Sequence, residues 1–131
     1  MSTLKPQLNS HFIAFYKESV KPIAEKCAEL FPIMRDIENR KPFSENDPNV
    51  IKLKALIDGN APWFIGLMIG DIETAIVNGV NLNLINSIGQ VNGCLNSESY
   101  WKSVWKDDSS SEEAKNLKEL AALMPELLNR L

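Results

Sequence analysis

Chemistry-bearing residues are scarce in this chain. His11 is the only histidine among 131 residues, and Cys27 and Cys94 are the only cysteines. One imidazole excludes a histidine metal cluster within a single chain, and two thiols do not complete a structural zinc site. A phosphate-binding loop, a dinucleotide fingerprint, a zinc-protease helix and a nucleophile elbow are all missing from the sequence. Nothing local supports a nucleophile built from His11 and either cysteine. The carboxylate pairs Asp71 and Glu73, Asp107 and Asp108, and Glu112 and Glu113 are adjacent or next but one, so their side chains diverge on a helix; solvated charge is the simple reading. No catalytic residue, metal or cofactor is expected.

Long apolar runs are also lacking. The longest, "APWFIGLMIG", stops at Asp71, too short to cross a bilayer. The opening "MSTLKPQLNSHF" holds no apolar run of signal-peptide length. Cys27 falls on an apolar helical stripe and reads as a buried, unbridged thiol, which points to a reducing compartment. The expectation is a soluble cytoplasmic protein with no membrane insertion. The net charge of −3 argues against a duplex-DNA binder.

Basic residues are missing from one long stretch. From Ala55 to Trp101 there is no lysine or arginine. Much of the stretch must be core, but its exposed part will be neutral to acidic and rich in asparagine. Such a surface suits a basic protein partner, through steering and hydrogen bonding; the plainer reading is loops and helix caps.

What is present is helical periodicity. Ile13, Tyr16, Val20, Ile23, Cys27, Leu30, Met34 and Ile37 keep a three-and-four spacing, widened by Phe12, Phe15, Ala24 and Phe31. Asn9 or Ser10 can cap its start. Pro22 and Pro32 lie off the stripe, so the carbonyls they free, those of Glu18 and Ala28, are expected to face water. A kinked helix and a break before Pro22 fit equally well. A second stripe, Leu117, Leu120, Met124, Leu127 and Leu131, has Pro125 beside it, freeing the carbonyl of Ala121. Ser110 or Ser111, with Glu112 and Glu113, signals its start.

Between the stripes, "KPFSENDPN" reads as a loop. Asp47 and Pro48 open a short helix carrying Ile51, Leu53, Leu56 and Ile57, ended by Gly59. Asn60 caps a helix from there to about Asn78, terminated by Gly79. This helix is apolar nearly all round before Asp71, so it is expected to be the central, most buried element. Residues 80–95 read as a further helix, although "AIVNGVNLNL" also carries a hairpin signal near 76–84. Ser97 opens a last short helix. The predicted fold is all-α: a single-domain bundle of five to seven helices over 1–131, with proline-kinked N- and C-terminal helices and a flexible start at 1–8.

Three features rise above this background. Gly66 and Gly70 share a helix face, which suggests close packing by another helix inside the fold, or else a ligand or partner. The amide-rich stretch includes Asp71 and Glu73. In "YWKSVWK", Trp101 and Trp105 share a face; such aromatics fill a core, anchor an interface or stack bases. Together they favour a non-catalytic protein-binding domain, in the form of an inhibitor of the immunity or antitoxin type that occludes a basic partner. Asp71, Glu73, Tyr100 and Trp105 are its candidate contacts. Two alternatives stand beside it: a small-molecule sensor or carrier with Trp63, Phe64 and Met68 lining a pocket, and a homo-oligomeric assembly protein that associates through its striped helices.

Overall fold

The structure is a computed structural model, and it describes residues 8–32, 46–48, 61–104 and 112–131. Residues 1–7 of the expected flexible start, the predicted loop at 41–49 except 46–48, and the helix from Ile51 to Gly59 lie outside the described residues. So do Met34, Ile37, the caps Asn60, Ser110 and Ser111, and Trp105.

Asn9 opens α1 (Ser10–Phe15), its side chain accepting the His11 N–H at 2.7 Å. A π-helical turn follows at Tyr16–Val20, and then α2 (Lys21–Ala28). The helix neither breaks nor simply kinks at Pro22. The Lys21 N–H reaches back five residues to the Tyr16 carbonyl, so the widened turn takes up the strain that a proline without an N–H brings. The wider turn also moves the buried line. It runs through Phe12, Tyr16, Val20, Ala24 and Cys27, while Ile13 and Ile23 of the expected stripe sit at its edge.

The long α3 (Ala61–Asn78) ends at Gly79, whose φ of 88° lies in the left-handed region and whose N–H donates to the Ala75 carbonyl at 2.9 Å. The Asn-Gly pair therefore stops a helix and does not turn a hairpin: among the described residues there is no strand at 76–84. Asn81 caps α4 (Leu82–Leu95) by accepting the Leu84 N–H. A bend at Asn96 leads to α5 (Glu98–Val104), and α6 (Glu112–Arg130) closes the described chain.

The architecture is an all-α bundle. The run from α1 to α2 packs on α3, α3 packs on α4, α4 packs on α6, and α6 returns to α1 and α2. Every long helix thus has two neighbours around one interior. Phe12, Tyr16, Ile65, Met68, Ile72, Leu84, Ile88, Leu95, Leu117, Leu120 and Met124 fill it, all fully buried. Leu8, within the predicted flexible start, also joins this core.

Pro22, Pro32 and Pro125 are all exposed, as their off-stripe positions predict. The carbonyl that Pro125 frees does not face water, however. Ala121 is buried, and its oxygen accepts the Asn96 side-chain amide at 3.2 Å. A ring of four helices has no central member, so α3 is not the enclosed element its composition predicts.

Candidate functional site

The candidate partner-binding residues do not meet on one surface. Asp71 and Glu73 leave α3 on opposite sides. Asp71 accepts a hydrogen bond from the Ser87 hydroxyl of α4, and Ser87 is itself buried. Glu73 faces the π turn. Its Oε1 accepts from the Tyr16 hydroxyl at 3.3 Å and pairs with Lys21 Nζ at 2.7 Å. The Lys21 hydrogen bond, with the ammonium charge, holds the Glu73 carboxyl below the usual range, and Glu73 raises the Lys21 pKa in turn. Burial, then the Glu73 charge, pushes the Tyr16 hydroxyl up. Both carboxylates are therefore ties between helices.

Tyr100 is 7 % exposed, so it is not an accessible anchor. Its hydroxyl is buried and makes no hydrogen bond among the described residues, and burial pushes its pKa up. Trp101 is half-buried. Its indole Nε1–H donates to the Leu95 carbonyl at 2.6 Å, its ring meets Tyr100 edge-on at 5.2 Å, and Lys118 Nζ lies 5.9 Å from the ring centre. Both aromatics of α5 thus brace the fold.

The three pocket candidates separate too. Met68 is fully buried and Phe64 packs on the core, while Trp63 is half exposed. Trp63 helps line a groove of about 250 Å³ with Ala28, Phe31, Pro32, Pro62, Gly66 and Leu67. Phe31 meets the Trp63 ring edge-on at 5.4 Å. Ligand pockets for drug-sized molecules run from about 300 to 1,000 Å³. This groove is smaller and has an all-apolar lining, which suits an inserted side chain.

Cys27 is buried and Cys94 half-buried, and neither is in a disulfide. Burial pushes the Cys27 thiol up to about 12. His11 is exposed at the other end of the helical run that carries Cys27, so these two side chains do not pair. Among the described residues, no group of three or more His, Cys, Asp or Glu side chains is placed to hold a metal ion, and no helix is long and apolar enough to cross a membrane.

The surface that stands out is one the sequence reading missed. On α3, Trp63, Gly66, Leu67, Gly70, Thr74 and Val77 form an exposed stripe; on α4, Leu82, Asn86, Gly89, Gln90 and Gly93 form another beside it. None of these residues is ionisable. Val77 and Leu82 are 78 % and 91 % exposed, and Leu67 and Ile85 are also exposed. Among the described residues, a Cβ at Gly66, Gly70, Gly89 or Gly93 would meet no heavy atom within 4 Å, so no described helix packs against Gly66 and Gly70 as expected. The signal was available: α3 is apolar on the side that a four-helix ring leaves outside. Reading an all-round apolar helix as the bundle centre hid it.

No protein-family model matches the chain, and no curated protein or solved structure is significantly similar to it.

Proposed function

We propose that this chain is a non-catalytic protein-binding domain that docks through the outer face of the α3–α4 pair. The observation that carries the reading is the contrast between two halves of the surface. The outer sides of α1–α2 and α6 expose Lys17, Glu18, Glu25, Lys26, Lys115, Lys118, Glu119 and Glu126. The outer side of α3–α4 exposes Trp63, Leu67, Val77, Leu82 and Ile85 with no charge among them. Contiguous exposed apolar surface on a small domain marks an interaction site, and interface centres are poor in charge and rich in large apolar residues.

An inhibitor of the immunity or antitoxin type, acting on a basic enzyme, is a narrower form of this reading. Its support is the net charge of −3 and the exposed carboxylates of α2 and α6. It loses its proposed anchors, because Asp71 and Glu73 are occupied by Ser87, Tyr16 and Lys21. An uncharged partner surface fits the α3–α4 face better.

The test compares two baits in the native cell, the wild-type chain and Leu67→Lys with Leu82→Lys. Both positions are exposed, so the variant keeps its fold by circular dichroism. The reading expects a protein, identified by mass spectrometry, that the wild type retains and the variant loses. Identical recovery with both baits contradicts it.

A further inference from the structure

We propose that the partner is a second copy of this chain, paired face to face through α3 and α4 about a two-fold axis near Gly70. The inference rests on the reading of this face as a protein-docking surface.

Charge favours a second copy. A two-fold axis sets each residue near it against its own copy, so charged positions there meet like charges. The outer sides of α2 and α6 carry exposed lysines and glutamates and would meet this repulsion. The exposed stripe residues of α3 and α4 are uncharged, and the nearest carboxylates, Asp71 and the 40 %-exposed Glu73, lie at its edges, tied to Ser87 and to Lys21, so the stripe can lie on itself with less of that penalty. A basic partner, by contrast, finds there only carboxylates that already have partners. An anionic bilayer finds no lysine or arginine anywhere from Ala55 to Trp101 to hold its headgroups.

The shape of the face favours it too. The middle of the α3 face is small, with Gly70 and Thr74, and the neighbouring α4 face offers Gly89 and Gly93. The two ends are bulky and different. One end holds Val77 and Leu82, which project into solvent. The other holds Leu67 and the groove beside Trp63. Leu67 and Val77 are about 15 Å apart along the helix, and their midpoint falls between Gly70 and Thr74. A two-fold rotation about that point exchanges the ends. It lays Val77 and Leu82 of each copy against Leu67 and the groove of the other, while the small residues let the two helices cross closely.

Size sets the expected strength. A face two helices wide and about 27 Å long projects on the order of 500 Å². Specific interfaces bury about 600–1,000 Å² per partner, so this one lies at the small end and the dimer should dissociate on dilution.

Sedimentation velocity from low micromolar to several hundred micromolar protein tests the proposal, using the wild type and Gly70→Glu. A side chain at Gly70 enters open space and glutamate is the better helix former, so the variant monomer should melt no lower than the wild type. The expected result is a wild type that moves from 14.7 kDa toward twice that mass as concentration rises. Gly70→Glu should stay at 14.7 kDa, with pairing weakened at least roughly ten-fold by the two facing carboxylates. A wild type that is monomeric throughout overturns the second copy as partner. If the wild-type bait of the capture experiment then still retains another protein that Leu67→Lys with Leu82→Lys loses, the docking face stands and only the partner is wrong. A dimer that Gly70→Glu leaves intact pairs through some other surface and overturns the proposal.

Discussion

Glu73 accepts from Tyr16 and from Lys21 with the same oxygen, so its charge state governs both ties. Its carboxyl is held below the ordinary value, chiefly by the Lys21 hydrogen bond. A lowered folded-state pKa contributes stability that is present above the unfolded value and is lost as pH falls through the folded one. Glu73→Gln removes that titration. The stability gap between wild type and Glu73→Gln, measured by urea unfolding, should be largest near neutral pH and close in acid. An equal gap at both ends would show that the pair contributes nothing. Glu73 is 40 % exposed, so the gap at neutral pH will be modest. Tyr16 and Cys27 shift the other way. Burial raises both, so their contributions are present below the ordinary tyrosine and thiol values and fade as pH climbs through the folded ones. A thiol held near 12 and buried in the core should also resist alkylation. Iodoacetamide at neutral pH should leave Cys27 unmodified in the native chain and modify it in urea, as read by peptide mass. Equal labelling in both would contradict the burial.

Pro22 and Pro125 each sit well inside a helical run, and the chain accommodates them by different devices. At Pro22 the backbone widens into a π turn. At Pro125 the helix keeps its form and a side chain from elsewhere, Asn96, takes the carbonyl left over. The second device makes a prediction. Asn96→Ala should remove the donor to the Ala121 oxygen and destabilise by about 0.5–1.5 kcal/mol. In a Pro125→Ala background the helix regains a backbone N–H that reaches that oxygen, and Asn96→Ala should have much less effect. A double-mutant cycle by denaturant unfolding measures the coupling. Additive effects would mean that Asn96 and Pro125 do not share the carbonyl. The existence of α3 and α4 was legible from their apolar spacing, and the end of α3 from Gly79, whereas the start of α4 was not, because the Asn-Gly pair also reads as a hairpin turn. The outward position of the prolines was legible too, because it follows from phase. The π turn was not: a three-and-four pattern assumes one helical pitch throughout, and the wider turn shifted the buried line from Ile13 and Ile23 to Phe12 and Ala24. The role of Asn96 was hidden because it joins segments far apart in sequence.

At the level of the whole molecule, buried and exposed apolar residues should separate by effect. Ile65→Ala or Leu117→Ala empties space in the shared interior and should lower stability by about 2–5 kcal/mol. Leu82→Ala, at a side chain almost wholly in solvent, should change monomer stability by less than about 0.5 kcal/mol while weakening self-association. A Leu82→Ala loss as large as the core variants would mean that this residue supports the fold. The candidate site was legible only in outline. The missing lysines and arginines and the paired glycines pointed to the stretch that carries the proposed face. The residues chosen from it were polar or aromatic ones that the fold turns to its own use: Asp71 toward Ser87, Glu73 toward Lys21, Tyr100 into the core. Sequence ranks side chains by chemistry, whereas the ring of helices decides which side of α3 stays outside.

The central claim is that the outer face of α3 and α4 pairs with the same face of a second copy of this chain. Amide hydrogen exchange of the wild-type chain, followed by peptide mass at two widely separated protein concentrations, tests it most directly. Slower exchange at high concentration is predicted for peptides from 61–78 and 82–95, with those from 10–28 and 112–130 unchanged. Protection that is independent of concentration in every helix, or that rises only in α2 and α6, would contradict the account.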